Sequence, residues 1–235
     1  MLISVHLPKT GGESFRESLK QHFGPALCLD YDDFPINTPV LRRNTHALLE
    51  GIKNRFRPFD QNLCIHGHFL PLKYLFLPRQ LNARYITWMR DPIERLASHY
   101  YFWKRTPDVE NQPVKRRMLD ENWSFERFAL GPEHRNVYCQ MFWGFPLKKL
   151  DFIGITEHYE EDFKYFCNHF WGIILEEKRV NVNQEQGNRP YITDINLRKR
   201  IEEYHWADVA IYRNACKARD IRMRETPPTH SWILS

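Results

Sequence analysis

No stretch of this 235-residue chain approaches the roughly 18 consecutive apolar residues that a membrane-spanning helix needs. The opening MLISVHLPKTGG turns polar and glycine-rich too early for a signal peptide, so the expectation is a cytoplasmic protein. Cysteine is sparse: Cys28, Cys64, Cys139, Cys167 and Cys216 are odd in number, widely scattered and form no CxxC pair. That pattern excludes a disulfide framework and a zinc ribbon, and five free thiols are expected. Internal repeats and low-complexity tracts are also lacking, and with only 10 Gly a collagen-like chain is excluded.

What is present suits one folded domain spanning 1–235, since the length supports a sizeable core but not two. Hydrophobic residues make up 42% and charged residues 27%, a globular balance. The net charge of +5 leaves room for an anionic ligand without naming it. Aromatic residues, at 14%, point first to a core of large side chains.

Apolar runs at Leu2 to Leu7, Leu63 to Ile65, Tyr85 to Met89 and Phe152 to Ile155 read as strands. The first ends at Pro8, Gly11 and Gly12, after which Phe15, Leu19 and Phe23 recur at helical spacing until Gly24 and Pro25. A second helix is expected from Asp91 as N-cap and Pro92 in the first turn, and helical spacing returns over Tyr159 to Phe170 and Ile201 to Ala215. Asn181 to Pro190 reads as a loop, and Lys104 to Pro113 as a mobile insertion. Strands alternating with helices predict an α/β fold with a mainly parallel sheet flanked by helices.

Two segments carry candidate chemistry. PKTGGES, Pro8 to Ser14, sets Lys9, Thr10, Gly11, Gly12, Glu13 and Ser14 between a strand and a helix start. Backbone N–H groups and the positive end of the helix dipole converge there, as a phosphate or sulfate requires. A tight glycine turn with an exposed lysine explains the same residues. It is not a Walker A loop, because Lys9 precedes the glycines, and the LPKTG spelled by Leu7 to Gly11 lies too far from a C-terminal apolar tail to be a sorting signal. In the second segment, Arg90 closes a strand and Ser98 lies two turns into the next helix, so a guanidinium fork and a hydroxyl can meet one anion. Pairing of Arg90 with Asp91 or Glu94 is the plain alternative.

Together the two segments resemble the sulfotransferases that use 3′-phosphoadenosine 5′-phosphosulfate (PAPS) and release adenosine 3′,5′-bisphosphate (PAP). PKTGGES looks like their 5′-phosphosulfate loop, and RDPIERLAS, Arg90 to Ser98, like their 3′-phosphate motif. CIHGHF, Cys64 to Phe69, is similar to the His-Gly-His segment of the uronyl and heparan sulfate 2-O-sulfotransferase branch and its bacterial relatives. FIGITEHYEEDF and WADVAIY also look like recurring segments of that branch.

The resemblance implies a P-loop-NTPase-like sulfotransferase fold, a nucleotide donor, and an acceptor hydroxyl on a carbohydrate or glycolipid. It implies Lys9 beside the leaving group, His68 as general base assisted by His66, and Arg90 with Ser98 on the 3′-phosphate. Glu13 stands where the family has Thr or another small polar residue, and a carboxylate beside a phosphosulfate is unfavourable unless it turns away. His66 and His68 lack a third ligand at convincing spacing, so no metal is expected. A nonstandard P-loop phosphotransferase is the alternative enzyme. A basic nucleic-acid-binding module lacks any supporting signature, and no nucleic-acid partner is expected. Trp103, Lys104, Arg105, Lys115, Arg116 and Arg117 lie in or beside an expected acceptor-binding insertion around 103–143, and suit either an anionic saccharide or a solvated charged face.

Overall fold

A computed structural model of the protein describes residues 1–31, 33, 38–60, 63–106, 108–110, 112–173 and 191–225. The chain runs β1 (Leu2–Val5), α1 (Gly12–Phe23), β2 (Leu27–Leu29), α2 (Val40–Asn54), β3 (Cys64–Gly67), β4 (Arg84–Met89), α3 (Pro92–Arg105), α4 (Pro113–Asp120), α5 (Phe125–Ala129), α6 (Val137–Met141), β5 (Leu150–Ile155), α7 (Tyr159–Phe166), α8 (Ile195–Tyr204) and α9 (Trp206–Glu225). The strands form one sheet in the order β2-β3-β1-β4-β5, every neighbouring pair parallel. This is the α/β architecture expected from alternating strand and helix patterns. The expected loop at Asn181 to Pro190 lies outside the described residues.

Both faces of the sheet are covered, and the pleat divides β1 between them. Leu2 joins Phe15 and Leu19 of α1, Trp88 and Phe152 of the sheet, and Phe163 and Phe166 of α7. Ile3 and Val5 point the other way, into a core with Ala47 of α2, Tyr138 and Met141 of α6 and Ala215 of α9. A third cluster, built on Ile93, Leu96, Tyr100 and Trp103 of α3, packs against Phe128 of α5 and Ile201 of α8. Among the described residues no helix is long and apolar enough to cross a membrane, and all five cysteines are free.

The order places β1 between strands that follow it in opposite directions: β3 and β2 on one side, β4 and β5 on the other. The carboxyl ends of β1 and β4 are therefore a switch point, where the connections from the two strands leave in opposite senses. Ligands of open α/β sheets bind outside such a point. The glycine segment follows β1 and Arg90 follows β4, so both lie at it.

Candidate active site

The loop after β1 is held in an unusual backbone shape. Lys9 adopts φ +65 and Gly11 φ +83. The first is uncommon for a residue with a side chain and costs of order 1–3 kcal/mol, a strain that clusters at functional loops. Thr10 is fully buried, and its hydroxyl donates to the Leu7 carbonyl at 2.9 Å. From β5's end, the Thr156 hydroxyl lies 2.9 Å from the Thr10 carbonyl and 3.0 Å from that of Met89, tying the loop to the end of β4. Gly11 then starts α1, and no side chain of the described residues caps it. A helix start of this kind presents backbone N–H groups and the positive end of its dipole, the features that bind an anion.

Lys9 reaches across this opening. Its ammonium lies 3.8 Å from the centre of the Phe102 ring near the end of α3. Burial, then the positive charges of Arg90 and Arg105, pull its pKa down to about 8 against the opposing pull of Glu13. Lys9, Arg90 and Arg105 thus make one electropositive field, which an anion would relieve. Glu13, for its part, turns to Arg16, 2.8 Å away on the same helix.

Arg90 is positioned through its backbone. Its N–H donates to the Tyr138 hydroxyl at 3.0 Å, and that hydroxyl donates to the Arg90 carbonyl at 2.7 Å. Asp91 caps α3, accepting from the N–H groups of Ile93 and Glu94, as the sequence predicts. Asp91 and Glu94 pair with Arg198 of α8, at 2.9 and 3.4 Å. Arg90 therefore does not pair with either neighbour, and its guanidinium lies 5.7 Å from the centre of the Tyr191 ring, which in turn stacks on Tyr101. Ser98 is buried on α3.

The histidines come from β1 and β3. Ser4 faces His66 across the parallel register, and the Ser4 hydroxyl lies 2.9 Å from His66 Nδ1. His66 is only 1% exposed, and burial pulls its pKa down to about 3, so it is neutral. His68 sits outside it on the same side of the chain. Its Nδ1 meets the His6 carbonyl, an obligatory acceptor, so Nδ1 carries the hydrogen and Nε2 keeps its lone pair. Burial lowers the His68 pKa, opposed by that hydrogen bond and by Glu13. Gly67 between them is required, because a Cβ there would lie 1.6 Å from the Asp30 carbonyl at the end of β2.

His6 completes the group: its ring lies 5.1 Å from that of His66 and 4.3 Å from that of His68. Sequence reasoning passes over it as a polar break in the first apolar run. Its signal is positional, since Ser4 and His6 share the face of β1 that looks across to His66. Phe102, over which the Lys9 ammonium lies, was likewise not separable from an ordinary helix end, and Arg105 stood out only as part of the basic cluster. Among the described residues, no group of three or more His, Cys, Asp or Glu could hold a metal ion.

The basic and aromatic residues around 103–117 divide differently from an open patch. Trp103 is core, packed 4.5 Å from the His99 ring and 5.6 Å from Phe128. Lys115 is buried, donating to the Asp108 carbonyl and, at 3.2 Å, to the Thr106 hydroxyl. Arg117 pairs with Glu133 and overlies Trp123. Arg116 borders a surface cleft with Asp120 and Glu121.

No protein-family model and no curated protein matches this chain. Among solved structures the chain is similar to a sulfotransferase from Alicyclobacillus acidocaldarius, at 14% identity and a TM-score of 0.43, over 89% of this chain and 92% of that one.

Proposed function

We propose that this protein is a sulfotransferase that moves the sulfuryl group of PAPS to an acceptor hydroxyl on a carbohydrate or glycolipid. One observation carries the reading. Lys9, half-buried in the field of Arg90 at the sheet's switch point, directly precedes a helix start with no side-chain cap, and His68 presents Nε2 from the other side of β1. A cation for a leaving phosphate, a second for a distal phosphate and a base for a hydroxyl are what in-line group transfer needs.

In this reading the N–H groups of Gly12, Glu13 and Ser14 receive the 5′-phosphosulfate, with Thr10, Gly11 and Gly12 shaping the loop. Lys9 neutralises charge growing on the bridging oxygen. The acceptor oxygen attacks sulfur while its proton passes to His68 Nε2, and the S–O bond to the nucleotide phosphate breaks with its electron pair leaving on PAP. His66, neutral and buried, supports His68. Arg90 and Ser98 bind the 3′-phosphate. Arg105, in the region 103–143, and Phe102 just before it both act on Lys9 and best suit acceptor contact. Scattered free thiols fit a cytoplasmic setting.

The test is transfer of radiolabelled sulfate from PAPS over a panel of glycans, glycolipid headgroups and simple alcohols, beside phosphate transfer from ATP. Labelled product from PAPS alone is expected. Transfer from ATP alone would replace this reading with phosphotransfer.

A further inference from the structure

Tyr31 connects two of the site's histidines. Its hydroxyl lies 3.3 Å from His6 Nδ1. The His6 carbonyl in turn takes the hydrogen of His68 Nδ1.

The rings repeat the connection in space. Tyr31 meets His68 edge-on at 5.0 Å and 88°, and His6 lies against His68 at 4.3 Å and 30°. His68 is thus held between two aromatic neighbours and by one hydrogen bond, which restricts rotation of its ring.

We infer that Tyr31 is a positioning residue that holds the His6 ring and fixes the orientation of His68, keeping Nε2 toward the acceptor. The kinetic part of this inference rests on the sulfuryl-transfer reading. Residues that orient a working histidine through a hydrogen bond commonly change activity by about 10–100-fold when removed.

The experiment compares Tyr31→Phe and Tyr31→Ala with the parent by three readouts: histidine ring ¹⁵N shifts, PAP affinity by calorimetry, and steady-state transfer. Tyr31→Phe keeps the ring against His68 and removes the hydroxyl, so the His6 shifts should change and kcat fall about 10-fold. Tyr31→Ala should also release the His68 ring, lowering kcat about 100-fold, with PAP affinity and thermal unfolding close to the parent's. Unchanged His6 and His68 shifts in Tyr31→Ala would overturn the inference, as would a loss of PAP affinity matching the loss of rate. If no acceptor is sulfated but the ¹⁵N shifts change as expected, the positioning network stands and the transfer reading falls.

Discussion

The imidazole of His6 occupies the space that a side chain at Gly12 would need, with Nε2 1.9 Å from the position of a Cβ there. Gly12 is therefore a packing requirement of the histidine group as well as a loop residue. Gly12→Ala should force His6 off its contacts with His66 and His68 and shift the start of α1. The expected result is loss of transfer together with a stability decrease of about 1–3 kcal/mol, the usual cost of overpacking. Gly12→Ala combined with His6→Ala should recover much of the stability and little of the activity. Urea unfolding of the single and double variants checks this, and additive losses would show that the two positions do not compete for space.

Lys9 should make nucleotide binding depend on pH in a defined direction. Its pKa is pulled down to about 8 by burial and by Arg90 and Arg105, so free protein at pH 9 carries Lys9 largely neutral. A bound anion favours the ammonium, and binding at pH 9 should take up a proton that binding at pH 6.5 does not. The folded state holds this proton more weakly than an ordinary lysine, so Lys9 also adds stability as pH rises from about 8 toward the unfolded value near 10.5. Calorimetry of PAP binding in buffers of different ionisation enthalpy measures the uptake. It should vanish in Lys9→Met, which should also lower turnover more than affinity.

The strand-to-helix junctions were legible in the sequence because their signals are local. Asp91 and Pro92 mark a helix start, and Gly24 marks the end of α1 with φ +49. β2 was missed because Leu27–Leu29 is a three-residue edge strand without a buried apolar pattern. Ile201 to Ala215 read as one helical stretch, yet the chain forms α8 and α9 with a break at His205, whose buried ring contacts the Asn136 N–H at 3.2 Å and the Ala129 carbonyl at 2.7 Å. At the site, Lys9 and Arg90 were visible as residues, but their shared field depends on the neighbouring ends of β1 and β4. Tyr31 was invisible for the same reason. Nothing in the local sequence around it shows that it meets a histidine from β1 and another from β3.

Arg90 should decide between nucleotides that differ only at the 3′ position. Its guanidinium is not committed to Asp91 or Glu94, both of which pair with Arg198. PAP should bind more tightly than 5′-AMP, and Arg90→Ala should remove most of that preference, about 10–100-fold in affinity for a charge-assisted contact. Arg90→Lys should restore only part, because an ammonium lacks the planar fork. Equal affinities of the parent protein for PAP and 5′-AMP would remove Arg90 from phosphate recognition.

His66 and His68 should separate when rate and stability are measured on the same variants. His66 is sealed beneath its neighbours with Nδ1 against Ser4, whereas His68 keeps Nε2 free, so His68→Ala should cost about 100-fold or more in kcat with PAP affinity retained. His66→Ala should cost mainly stability, since it empties a buried position and strands the Ser4 hydroxyl. The pH dependence follows the same division. Burial lowers the His68 pKa, so the parent's rate should fall only as pH drops below about 6.5, the ordinary histidine value. Stability should fall from that same pH downward, because the unfolded chain takes up protons that neutral, buried His6 and His66 refuse in the fold. Urea midpoints between pH 7.5 and 5 should therefore drop with a slope of more than one proton in the parent and a shallower slope in His66→Ala. A slope unchanged by that substitution would mean that His66 titrates alike in both states.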